Sequence, residues 1–564
     1  MSLQPQPTDP IPDETQRVAR AAFPKGNVYM RMRDEFGEMY PDGLFAELFP
    51  RRGQSAESPG RLAWVTVLQF AEGLSDRQAA EAVRGRLDWK YVLGLELTDP
   101  GFDYSVLSEF RERLLTGQKE SALLDELLTR LKQRGLLKAR GQQRTDSTHI
   151  LAAVRQLNRV ELAGETLRQA LNELAEVAPD WLKAVAPPDW FARYGRRFEY
   201  LRLPKERAER ERLLETIGRD GLLLLEAVRT TPPAEPVPQL AGVEFLRRMW
   251  LQQFWLEVDA DGESHVRLRA DDNQPPGAQR LHTPYDEEAR YSAKREMEWV
   301  GYKTHLTETS EPDEVHLITQ VTTTLATQAD RDALDTVHAT LAQHGLLPDE
   351  HLLDAGYVDA EALVSARQNF GGEICSPVRT KVSWQAKAAA GFDLAQFTID
   401  WDRHQVTCPG GQTSDQWGER SSPNRKAAIQ VRFSPAVCRR CPSQAKCTQA
   451  RSGARTITFL PQPEYAALQR ARQAQDTPEF KAQYACRAGI EGTISQAVRR
   501  FDLRNTRYVG LAKTHLQMLA TAVAINLHRL FDWWEERPRA RTRTSPFARL
   551  APDSSGHSLS WVAR

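Results

Sequence analysis

A strand-forming run from Gln142 to Val154 carries a single aspartate, Asp146, and the strand pattern resumes only at Trp299. The intervening residues read as charged helices, notably Pro204-Lys-Glu-Arg-Ala-Glu-Arg-Glu-Arg and the apolar run Leu222 to Leu225. That stretch, 156–285, therefore reads as an insertion into an α/β unit formed by 136–155 and 286–370. Without it the order is strand, strand, strand, helix, strand: Gln142 to Val154, Trp299 to Thr307, Val315 to Thr322, a helix from Arg331 to His344, and His351-Leu-Leu-Asp354. Along the first strand the alternation sets Asp146, Thr148 and Ile150 on one side.

This is the strand order of a ribonuclease-H-like core, in which the first and fourth strands lie side by side. Asp146 and Asp354 are then expected to be neighbours although 208 positions separate them. The other units follow from pattern and punctuation. A chain of 564 residues is too long for one core, and about 150 residues per domain suggests three or four units. Residues 1–20 are polar and proline-rich and read as a disordered N-terminus. Residues 21–135 read as a helical domain, with Leu62, Trp64, Val65, Val67, Leu68 and Phe70 at helical spacing after Pro59 and Ser75 as an N-cap. This succession of short helices suits DNA binding or dimerisation, and equally a purely structural block. Residues 371–475 combine turn residues, short strands and four clustered cysteines, and read as a β-rich insertion. Residues 476–535 return to helix, and 536–564 read as a basic disordered tail.

No leader of charged then apolar residues opens the chain, which points to a cytoplasmic protein. The most apolar helix, Leu511 to Phe531, is interrupted by Lys513, His515, Gln517, Asn526 and His528, so it reads as packed rather than membrane-spanning. Seventy-five basic side chains balance seventy-five acidic ones, so no global field advertises a polyanionic partner. The balance is local instead. Between Tyr484 and Arg549 twelve Arg and Lys stand against five Asp and Glu, an excess that suits a phosphate-binding face or a solvated helix surface.

Candidate chemistry centres on Tyr484-Ala-Cys-Arg487-Ala-Gly-Ile-Glu491. On a helix, Tyr484, Arg487 and Glu491 stand at i, i+3 and i+7 and share a face. With Asp146 and Asp354, Glu491 would complete an oxygen-only site for Mg²⁺ or Mn²⁺, suited to activating water or a 3′-hydroxyl against a phosphodiester. Singly, each carboxylate has an ordinary alternative: an edge-strand Asp, a turn or helix cap, and an i,i+4 partner of Arg487 worth about 0.2–0.5 kcal/mol. The cysteines Cys408, Cys438, Cys441 and Cys447 contain a Cys-x2-Cys pair with two further thiols at loop-compatible distances, which suggests a tetrahedral Zn²⁺ site. Arg439, Arg440, Lys446 and Arg451 surround it, so the module suits either DNA contact or a clip on an insertion lacking its own core. Cys375 and Cys486 read as packing residues.

Taken together, these motifs resemble the DDE transposases of bacterial insertion sequences, most closely the insertion-sequence 1182 family within the group with a Tyr-x2-Arg-x3-Glu signature. The resemblance runs through Gly73-Leu-Ser-Asp-Arg, Ser105-Val-Leu-Ser-Glu-Phe-Arg, Thr145-Asp-Ser-Thr, Gly301-Tyr-Lys-Thr-His, Asp354-Ala-Gly-Tyr and Tyr484 to Leu530. It implies a ribonuclease-H-like catalytic core, two Mg²⁺ or Mn²⁺ ions held by Asp146, Asp354 and Glu491, and cut-and-paste transposition by hydrolysis and strand transfer. Double-stranded DNA is the implied partner, as terminal inverted repeats and target, with a homodimer on DNA and no membrane. Arg487 is then a phosphate clamp and Tyr484 a backbone contact. Arg504, Arg507 and Lys513, in the family-like Arg504-Asn-Thr-Arg-Tyr-Val-Gly-Leu-Ala-Lys, are further candidate DNA contacts. One departure stands out: the signature has Lys seven residues after Glu, where Val498 stands here. Arg499, one residue later and turned by about 100° around the helix, is the candidate replacement. A transposase-derived regulator without catalysis, and a nuclease of the same fold without strand transfer, are the alternatives.

Overall fold

The computed structural model describes residues 2–3, 10–232, 239–379, 383–422, 425–538, 547 and 550. Most of the basic tail expected over 536–564 lies outside the described residues. The opening stretch expected to be disordered is helical from Asp13 to Ala22. Its Ala19 packs with Met30 and Tyr91, and Thr15 donates a hydrogen bond to the Leu95 carbonyl at 2.8 Å, so tertiary burial overrides the polar composition. The helices that follow include Val28–Phe36, Pro59–Glu72, Asp76–Gly85, Ser105–Thr116 and Ala122–Gln133. Ser75 caps Asp76–Gly85 in a reciprocal box with Gln78.

Strand β1 (Gln142–Leu151) opens the central sheet. The insertion follows, with helices Arg159–Val177, Arg207–Thr230 and Ala241–Gln253 around their own apolar core, and ends in a hairpin of β2 (Phe254–Val258) and β3 (Ser264–Leu268) that the helical reading did not anticipate. The sheet resumes with β4 (Arg290–Lys294), β5 (Met297–Thr309) and β6 (Ile318–Leu325). After helix Asp330–Gln343 come β7 (Glu350–Leu352) and β8 (Glu373–Cys375). The path is β4-β5-β1-β7-β8, with β6 also on β5. β1 runs antiparallel to β5 and parallel to β7, so the first and fourth strands of the expected order are adjacent.

Beyond the sheet, β9 (Thr398–Asp400) pairs with β10 (Gln405–Thr407), and β11 (Gln416–Ser422), β12 (Arg425–Arg432) and β13 (Thr456–Phe459) form a three-stranded sheet. Phe397, Val406, Ile429, Val431, Phe433, Ile457 and Phe459 give this cysteine-bearing module a small core of its own. Helices Gln462–Ala474, Pro478–Ala485 and Gly489–Phe501 lead to the long helix Leu511–Trp534. That helix is buried along most of its length, in one continuous core shared by the N-terminal helices and one face of the sheet. Its Asn526 accepts from the Ile318 N–H at 2.7 Å and donates to the Ile318 carbonyl at 2.8 Å, fixing the start of β6. Among the described residues no helix is long and apolar enough to cross a membrane.

Candidate active site

The parallel register pairs Gln142 with Glu350, Gln143 with His351 and Arg144 with Leu352. Asp146 stands two residues past Arg144 on β1 and Asp354 two residues past the end of β7, near enough for their charges to interact. Asp146 projects on the same face of β1 as Arg144 and Thr148, and that face meets the C-terminal segment three times. Arg144 Nη1 donates to the Cys486 carbonyl at 2.7 Å, Arg487 Nη2 to Asp146 Oδ2 at 2.6 Å, and Arg504 Nε to Thr148 Oγ1 at 3.2 Å.

Asp146 is nearly buried, and its other oxygen accepts from the Ser147 N–H at 2.7 Å. Burial raises its pKa above the usual carboxylate value, and the negative Asp354 adds to this, while Arg487, the Ser147 N–H and Lys294 pull the other way. Asp354 stands just past β7, where its Oδ1 accepts from the Gly356 N–H at 2.7 Å in a tight turn. Glu491 lies in the first turn of Gly489–Phe501 and is 69 % exposed, 3.7 Å from Arg487 Nη1. Arg487 is thus the link: its side chain, 13 % exposed, contacts Asp146 and Glu491 together, and its buried Nε has no hydrogen-bond partner among the described residues.

Tyr484, Arg487 and Glu491 do not share one helix. Tyr484 lies in the last turn of Pro478–Ala485, stacked on Phe480, while Cys486–Ala488 tightens into a 3₁₀ turn and Glu491 belongs to the next helix. The change coincides with the bond from Arg144 to the Cys486 carbonyl, a tertiary contact that local spacing does not encode. Tyr484 is close enough to both aspartates for their charge to add to burial in raising its pKa.

The other basic candidates divide. Arg499 is exposed. Arg507 donates to the Leu74 carbonyl and lies over the Phe70 ring at 5.2 Å, and Lys513 pairs with Glu112 at 3.2 Å, so both join the C-terminal segment to the N-terminal helices. Several site residues went unassigned in the sequence reading. Lys303 pairs with Asp330 at 2.9 Å, and Asp330 lies beside Gly356. His305 Nδ1 is 2.6 Å from the buried Tyr357 hydroxyl, whose pKa burial and the charges of Asp330, Asp146 and Asp354 push well up. Lys303, His305 and Tyr357 stand inside the family-like motifs, and that position was the available signal.

The four clustered cysteines line one cavity of about 600 Å³ together with Phe397, Phe433 and Arg455. Burial raises the Cys447 thiol pKa, Arg455 opposes this, and the other three cysteines raise it further, so the four sulfurs share one environment. Cys375 is buried in β8 with its thiol pushed up to about 12, whereas Cys486 is only partly buried beside the site. Among the described residues, no three His, Cys, Asp or Glu side chains converge closely enough to hold a metal ion.

Residues 17–113 match the family model described as transposase domain (DUF772), and residues 407–531 match the one described as transposase DDE domain. The second match contains Glu491, Arg487 and the four cysteines, while Asp146 and Asp354 lie outside both. No curated protein and no solved structure matches the chain. The two family matches support an insertion-sequence transposase, a DNA-processing enzyme.

Proposed function

We propose that the chain is a DDE transposase, most like the insertion-sequence 1182 family, that binds terminal inverted repeats and catalyses DNA cleavage and strand transfer with Asp146, Asp354 and Glu491. One observation carries this reading: Asp146 on β1 lies within electrostatic reach of Asp354, just past the adjacent parallel strand β7, and Arg487 joins Asp146 to Glu491 across 345 positions of sequence. The sheet supports a ribonuclease-H-like core, since β6-β5-β1 are antiparallel neighbours and β1-β7-β8 parallel ones.

The donor set fits hard divalent cations in its chemistry, because it is all carboxylate, and two of its members, Asp146 and Glu491, already share one positive charge, the Arg487 guanidinium. Asp146, Asp354 and Glu491 would hold two Mg²⁺ or Mn²⁺ ions, which when bound activate the attacking oxygen and stabilise the leaving one. The chain's own groups do the rest. Burial works against the charge of Asp146, and the positive charges of Arg487 and Lys294 offset part of that cost. Arg487 offers two parallel N–H donors to a phosphate once it leaves Asp146. Tyr484 borders the same space, and Lys294 and Arg504 add positive charge beside β1. Cys408, Cys438, Cys441 and Cys447 would hold a structural Zn²⁺. The assembly on DNA is a dimer that brings two element ends together.

The test is single-turnover cleavage and joining of DNA bearing the element's terminal repeats. Asp146→Asn, Asp354→Asn and Glu491→Gln should each abolish Mg²⁺-dependent cleavage, by about 10³-fold or more, while repeat binding persists. Substantial cleavage by one variant removes that residue from the triad, and cutting without joining by the wild type favours the nuclease.

A further inference from the structure

We infer that Arg144 is a positioning residue that holds the strand of Asp146 against the turn of Arg487 and Glu491, anchored by a buried Arg144–Glu308–Arg529 network; this rests on the transposase reading above. Arg144 stands two residues before Asp146 and its side chain is 5 % exposed. Its guanidinium faces two ways. Nε and Nη2 reach Glu308 Oε1 at 2.7 and 2.6 Å, while Nη1 donates to the carbonyl of Cys486, the residue before Arg487. The remaining Nη2 hydrogen meets His316 Nδ1 at 2.9 Å; His316 Nε2 lies 3.0 Å from the Glu311 carbonyl, which makes Nε2 the donor and Nδ1 the acceptor.

Glu308 sits directly across from Arg144 on β5 and is wholly buried. Its second oxygen accepts from Arg529 Nη1 at 2.7 Å and from Thr493 Oγ1 at 2.6 Å. Thr493 is two residues beyond Glu491, and Arg529 also donates to it at 2.6 Å and to Gln496 Oε1 at 3.0 Å. One carboxylate therefore ties together the strand of Asp146, the helix of Glu491 and the long C-terminal helix. The contact is close enough to dictate sequence: a Cβ on Gly489 would lie 2.0 Å from Arg144 Nη1. Buried charges cost desolvation that an apolar packing would avoid, and their best-attested return is a fixed register between elements. Here that register is the one that sets Arg487 on Asp146.

Arg144→Lys keeps the charge but cannot reach Glu308 and the Cys486 carbonyl at once. A misplacement of about 1 Å costs roughly 10²-fold in rate. The variant is therefore expected to cleave about 10²-fold more slowly, to need more Mg²⁺ for half-maximal cleavage, and to show faster alkylation of Cys486 by site-resolved mass spectrometry. Wild-type values for all three overturn the inference. Because Arg144→Lys could also weaken the fold, a double-mutant cycle supplies the second arm. Gly489→Ala should speed Cys486 alkylation by about tenfold when Arg144 is present and by less than about threefold in an Arg144→Ala background, since the added methyl then has room. An equal effect in both backgrounds overturns it. If the wild type cleaves no repeat DNA, the transposase reading fails, while the alkylation cycle still decides whether Arg144 orders the turn.

Discussion

Asp146 and Arg487 each solve a problem the other creates. Burial makes a bare carboxylate on β1 costly, and the guanidinium at 2.6 Å answers it; in turn, Arg487 is itself mostly buried, with one nitrogen unpartnered among the described residues. Arg487 is consequently more than the surface partner of Glu491 that its i,i+4 spacing allows. Lysine would keep the charge but not span both carboxylates or grip a phosphate with two parallel donors. We expect Arg487→Lys to slow single-turnover cleavage by about tenfold or more while the thermal melt, recorded on the same preparation, moves little. Normal cleavage with an unchanged melt would defeat the clamp. The candidate residues that the sequence picks out, Asp146, Asp354, Tyr484, Arg487 and Glu491, sit inside motifs that look unusual locally. Arg144, Glu308 and the Lys303–Asp330 pair were not, because a charged residue is read as buried only when its distant partner is known.

At the scale of elements, alternation found β1, β5 and β6 because each is long enough to show a period of two, and it found the helix between β6 and β7 by its 3.6-residue repeat. β4 and β8, with five and three residues, are too short for a period to be read, and each exists because a neighbouring strand offers a free edge. The 3₁₀ turn at Cys486–Ala488 was illegible for another reason: the Arg144 contact that marks it comes from 342 positions away. The cysteine module mixes both cases. Its Cys-x2-Cys pair was evident, whereas the core that folds around Val431 and Phe433 was not. Four thiols along one cavity predict about one zinc per chain, as a tetrahedral Cys₄ site requires. Metal analysis should find it in the wild type and lose it in a Cys438→Ser, Cys441→Ser double variant, and chelation should lower the wild-type melt. Equal zinc in both proteins would reject the site.

The whole molecule is less divided than its sequence suggests, because Leu511–Trp534 threads a single core through the N-terminal helices and against β6. Arg507 and Lys513 serve that union, so the local excess of positive charge near the C-terminus is partly spent inside the chain. The same burial encloses histidines. His305, His338, His515 and His528 are pushed down to about 4, chiefly by desolvation, and His351 lies well below its ordinary value. These rings are neutral in the fold, while in the unfolded chain they take up protons near pH 6.5. Between about pH 6.5 and pH 4 the unfolded state binds more protons, so stability rises with pH in that window and is lost as pH falls through it. Every tenfold by which folding weakens a histidine's hold on its proton is worth about 1.4 kcal/mol. Asp146, Glu57 and Asp125 work in the opposite sense, since burial raises their pKa values and so favours the fold at low pH, but the depressed histidines outnumber them. Glu308, where burial is outweighed by Arg529 and Arg144 so that its pKa stays low, stabilises the fold fully above the ordinary carboxylate range and loses that contribution only as pH falls below it, outside this window. The melting temperature should therefore fall steadily from pH 6.5 to pH 4.5, with net uptake of more than one proton on unfolding measured by calorimetry in buffers of different ionisation enthalpy. A melt independent of pH across that window would mean that these histidines are solvated or charged, and that the core does not close over them.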